Sequence, residues 1–171
     1  MKGLRRLLQF VGKVSAIMLI AGCAYQEAIR NLTPTEQQEF RAYSKVMTAK
    51  QVRTYLARET AAARAAYLNE IGMTQRFQAL AAQDRESVLA GYIRKSMSAE
   101  ALHFLWGEPY KTKGRPGHYE YWFYRGSSVS LAETGDQHHN LGNQVRVLLV
   151  DGRVDDWADF VTSTINDNTG G

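Results

Sequence analysis

At Pro109 the hydrophobic period of this sequence changes from about 3.6 residues to about 2, so helices must come first and strands second. The helical signals open at Thr33-Pro34-Thr35-Glu36: a threonine cap, a proline at the first helical position and an acid placed for a capping box. Phe40, Tyr43 and Met47 then mark one helical face. Thr48 starts a second helix with Val52, Tyr55 and Leu56 inward. Thr60 starts a third with Tyr67, Leu68 and Ile71 inward, and Gly72 stops it. A further helix carries Phe77, Leu80, Val88, Leu89 and Ile93, with a break near Asp84. Ser98 caps the last helix, which holds Leu102 and Leu105 and ends at Gly107 and Pro109.

Beyond Pro109, residues 118–125 read as a strand rich in aromatic residues. Val145 to Val150 reads as a second strand, Asp151-Gly152 as a hairpin turn, and Arg153 to Trp157 as a third strand. Residues 126–143 read as a long polar loop, with room for a short strand at Val129 to Leu131. The expected architecture is α+β: N-terminal helices packed on a small three-stranded antiparallel sheet in two layers.

The chain has 171 residues, enough for one ordinary domain, and 44% apolar with 22% charged residues is the balance of a globular protein. Its net charge of +4 suggests a polyanion binder until the charges are located. Lys2, Arg5, Arg6 and Lys13 lie in the first 22 residues, which contain no acid. Without them 17 of the 21 basic residues remain, against 17 acidic ones. The basic character belongs to the leader, and nucleic acid is excluded as a partner.

That leader has the three parts of an export signal: a positive start, a short apolar run from Val14 to Ile20, and small residues before Cys23. The apolar run is shorter than the roughly 20 residues a spanning helix needs. Cys23 is the only cysteine, so it forms no internal disulfide. Ile20-Ala21-Gly22-Cys23 resembles the lipobox of bacterial lipoproteins. The resemblance implies cleavage between Gly22 and Cys23, diacylglyceryl attachment to the Cys23 sulfur and acylation of the new amino terminus. Several acyl chains hold a protein at a membrane where one would hold it marginally. Ala24, where an aspartate would retain such a protein at the inner membrane, implies the periplasmic face of the outer membrane. The expected divisions are a signal peptide over 1–22, the lipidated cysteine and a tether over 23–32, a helical region over 33–90, an α+β domain over 91–160 and a tail over 161–171.

The sequence holds no recognisable catalytic or metal-binding motif. His138-His139 is a poor chelating pair, because adjacent residues of an extended segment point to opposite sides. His103 reads as a partly buried helix residue. Asp155, Asp156 and Asp159 lack the spacing of a calcium loop, and Ser127 and Ser128 lie in no nucleophile elbow. The expectation is a protein that is not an enzyme and needs no metal and no cofactor.

From Met97 onward four elements appear in order: Met97-Ser98-Ala99-Glu100, Leu105-Trp106-Gly107-Glu108-Pro109, Glu120-Tyr121-Trp122-Phe123-Tyr124, and Val147 to Val154 with Asp151-Gly152 inside it. Over about residues 91–157 this resembles the SmpA/OmlA family of BamE-like outer-membrane lipoproteins. Where that family has a glycine before the methionine, this chain has Ser96. The resemblance implies a place in outer-membrane protein assembly and envelope proteins as partners.

In the aromatic strand Tyr119, Tyr121 and Phe123 share one face, and Glu120, Trp122 and Tyr124 the other. Either both faces are buried, or helices cover one and a partner covers the other. Because Glu120 is a poor core residue, Tyr121 and Phe123 are expected to meet the helices, leaving Trp122 and Tyr124 as the candidate contact surface. The function these features suggest is a lipid-anchored interaction or scaffold module. The alternatives are a periplasmic module that binds and inhibits an envelope enzyme, and a hydrolase.

Overall fold

A computed structural model describes residues 25–134 and 143–161. Gly22, Cys23 and the His138-His139 pair lie outside the described residues. The helices are α1 (Pro34–Val46), α2 (Ala49–Leu56), α3 (Ala61–Glu70), α4 (Met73–Gln78), α5 (Ala82–Ala90), α6 (Ala99–Trp106) and α7 (Ser128–Thr134), preceded by a helical stretch over residues 25–30. The strands are β1 (Lys111–Arg115), β2 (Tyr119–Arg125), β3 (Asn143–Val150) and β4 (Arg153–Val161). They form one antiparallel sheet in the order β1-β2-β3-β4.

The helix starts follow their caps. The hydroxyls of Thr33, Thr48, Thr60 and Ser98 each accept a backbone N–H three residues on, and the first two close full capping boxes with Glu36 and Gln51. Glu36 also takes two bonds from the Arg64 guanidinium, at 2.7 and 3.0 Å, which tie the start of α1 to α3. The fork of charged donors, opposed only in part by burial, holds the Glu36 carboxyl down at about 2.

Helix α6 lies between the sheet and the other helices and buries Ala101, Leu102, Phe104, Leu105 and Trp106, with Glu100 left outside to pair with Arg76. Trp106 meets Tyr124 edge-on at 5.3 Å, while Phe104 turns the other way, 5.4 Å from Phe77 and 6.2 Å from Tyr43. One continuous core cluster runs from Leu32 through these rings to Val154. Segment 96–99 is stitched to the start of β4: Ser96 N–H donates to the Val154 carbonyl, Val154 N–H to Met97, and Ala99 N–H to Gly152. The stitching holds Ser96 at φ +63, a left-handed conformation that glycine adopts without strain. The β3–β4 turn has positive φ at both Asp151 and Gly152, the geometry that suits the twist of a two-residue hairpin.

The structure corrects the expected three-stranded sheet. Among the described residues the sheet has four strands, because Lys-Thr-Lys-Gly-Arg of β1 pairs with β2 from Lys111↔Phe123 to Arg115↔Tyr119. Every residue of β1 is exposed, so the segment has no apolar alternation to betray it. Val129 to Leu131 is part of α7 and not a strand, with Leu131 buried. The break in the long helix falls at residues 79–81, and Asp84 sits in the first turn of α5. Part of the expected tether is packed structure: residues 25–30 are helical and Leu32 is buried.

Candidate functional site

The aromatic strand faces the opposite way from the expected one. Trp122 is 7% exposed and Tyr124 fully buried, both against α6, so neither belongs to a contact surface. The pairing decides the matter: Trp122 and Tyr124 stand opposite Val147 and Val145 of β3, whose side chains belong to the core. Glu120 shares that side without being stranded. It lies near the end of the strand, and its carboxylate accepts the Trp122 indole N–H at 3.2 Å and the Gly117 N–H at 3.4 Å. The His103 ring packs against Trp122, tilted by 43° with centroids 4.7 Å apart, and its Nδ1 lies 3.5 Å from a Glu108 carboxylate oxygen.

The other face of the sheet is the candidate site. Strand β2 contributes Tyr119, Tyr121, Phe123 and Arg125. Cross-strand neighbours are Lys111, Lys113 and Arg115 on β1, and Gln144, Arg146, Leu148 and Val150 on β3. None of these side chains is in the buried core, and Tyr119 is 55% exposed. Their rings are half-covered by cations: Arg146 lies 5.2 Å above Tyr121, Lys111 5.9 Å above Phe123, and Arg125 4.9 Å above Tyr110 just before β1. Tyr110 in turn leans on Phe123 at 6.5 Å and donates its hydroxyl to the Gln144 amide oxygen at 2.6 Å. The surface is therefore a platform of rings under cationic caps. Asp156 of β4 stands opposite Leu148 on this face and lies 3.9 Å from Lys95.

The remaining candidates have other work. Asp159 accepts both the backbone N–H and the hydroxyl of Ser128 at 2.7 Å, which fixes the start of α7 to β4. Ser127 and Ser130 exchange hydrogen bonds in the same turn. Among the described residues no group of three or more potential ligands is close enough to hold a metal ion. A groove of about 550 Å³ is lined by residues of α1 and α5, among them Phe40, Arg41, Lys45 and Leu89, together with Phe104 of α6.

One polar group that the sequence reading used only as a helix break is central to the fold. The buried Asp84 carboxylate accepts the Ser98 N–H and hydroxyl and pairs with Arg94. Its signal was an acid in the first turn of a helix, which is too common to single out.

No protein-family model, no curated protein and no solved structure matches the chain.

Proposed function

We propose that the protein is a lipid-anchored lipoprotein of the outer membrane, facing the periplasm, whose role is to hold a partner protein by contact and not to catalyse a reaction. The observation that carries this reading is the outer face of the sheet, where rings and cations stand together outside the core. Large planar groups beside arginine are the side chains that most often anchor protein contacts. The anchor is read from Cys23, the lone cysteine behind an export-type leader.

Two structural features support the combination. Ile29 packs into the groove beside Phe104 and Leu105, so the start of the described chain lies on the helical side of the sheet. Cys23 is two residues before Tyr25, at most about 7 Å of chain. An anchor there leaves the outer face of the sheet open to the periplasm. Ser96 at φ +63 also supports the resemblance to the SmpA/OmlA family, since it stands where that family carries glycine. A place in envelope assembly is the role that resemblance suggests.

The test is fractionation of Cys23→Ser beside the wild type. The reading requires the wild type in the outer-membrane fraction and the variant unlipidated, either released or retained as an unprocessed precursor. Identical processing and fractionation of the two, with a titratable thiol in the wild type, would remove the anchor.

A further inference from the structure

We propose that the open edge of β1 receives an extended acidic segment of the partner protein as a fifth strand of the sheet. The inference rests on the reading of the chain as a contact module and names the chemistry of what it contacts.

Three observations point to such an occupant. First, β1 ends the sheet: no described strand pairs with its far side, and all five of its residues are exposed. A strand in that position offers a row of backbone donors and acceptors to another chain. Second, Lys111, Lys113 and Arg115 alternate along it, about 7 Å apart at the repeat of an extended chain. Among the described residues Lys113 and Arg115 make no ion pair. A carboxylate at every second position of an added strand would meet each cation in turn. Third, further cations stand on the same face of the sheet, Arg125 on β2 and Arg146 on β3. Lysines on an edge repel ordinary strands, and the same charges select an acidic one. The regular spacing also favours a polypeptide over a membrane of anionic lipid, whose headgroups carry no strand repeat. Gly114 keeps the edge in place: a Cβ there would lie 2.4 Å from the Tyr119 carbonyl oxygen, so β1 hugs β2 at that point.

The test uses the full chain and a fluorescein-labelled peptide of about ten residues, with glutamate at alternate positions and threonine or valine between, followed by anisotropy. A control peptide has the same composition with its glutamates in one block. Binding of the alternating peptide should be saturable and weaken with salt. Lys113→Glu, and separately Arg115→Glu, should each weaken it by about tenfold or more, as charge reversal across a contact does. Both positions are exposed, so an unchanged thermal midpoint certifies the fold of each variant. The proposal is overturned if the two peptides bind alike, if neither binds, or if the reversals leave binding unchanged. It is also overturned if the chain instead sediments with phosphatidylglycerol vesicles through Lys113. Self-association abolished by Lys113→Glu would likewise overturn it, in favour of a second copy offering Asp155 and Asp156 of its β4 edge. Failure here is separable from failure of the contact reading, because cross-linking from the outer face in intact membranes tests that reading without any peptide.

Discussion

Ser98 is bound to Asp84 twice, through its backbone N–H at 3.2 Å and its hydroxyl at 2.8 Å, while the same hydroxyl accepts the Ala101 N–H at 3.2 Å as the cap of α6. One buried carboxylate thus fixes the start of the helix that all other layers pack against. Asp84→Ala removes the acceptor for Ser98 and strands the Arg94 charge, so it should cost about 3 to 5 kcal/mol. Urea unfolding curves of the two proteins give the difference directly. A loss below about 1 kcal/mol would mean that Ser98 and Arg94 find other partners.

Glu36 supplies a pH dependence with a definite sign. Its folded pKa of about 2 lies below the ordinary 4.5, so its contribution is fully present above pH 4.5 and is lost as the pH falls toward 2. Glu36→Gln should lower stability at neutral pH by about 1 to 3 kcal/mol, since Arg64 loses its charged partner, while a glutamine there still closes the capping box as Gln51 does in α2. The two stability curves should converge between pH 4.5 and 2. Parallel curves through that window would show that Glu36 does not titrate with folding.

Ser96→Gly should raise stability, by about 0.5 to 1 kcal/mol. Relief of a left-handed φ outweighs the extra freedom that glycine has in the unfolded chain. Thermal unfolding measures it, and a lowered midpoint would show that the serine is held there without strain.

Truncations along β2 should separate its two faces. Trp122→Ala opens a cavity beneath α6 and should cost about 3 to 5 kcal/mol. Phe123→Ala lies on the half-covered outer side and should cost about 1 to 2 kcal/mol. This is the reverse of the order the sequence suggested.

The reason lies in which signals are local. Caps at Thr33, Thr48, Thr60 and Ser98 and the Asp151-Gly152 turn are written in three or four adjacent residues, and each was legible. The orientation of β2 was not, because aromatic residues occupy both its faces and the choice between them is made by Val145 and Val147 across the ladder. Glu120 misled for the same reason: its acceptor role for Trp122 depends on its lying near the strand end, and composition does not show that. Strand β1 escaped notice since a strand with neither face buried needs no apolar period. Helix α7 was hidden in a polar stretch, where its N-terminal anchor is Asp159, 31 residues away.

The central claim is that the outer face of the sheet is where the protein meets its partner. A photo-reactive amino acid placed at Tyr121, and in a second protein at Arg53 on α2, tests it in intact membranes. Cross-linked adducts of one defined mass should form from position 121 and not from position 53, and should disappear when Arg146→Glu is added. Equal yields from both positions, or adducts from position 53 alone, would contradict it.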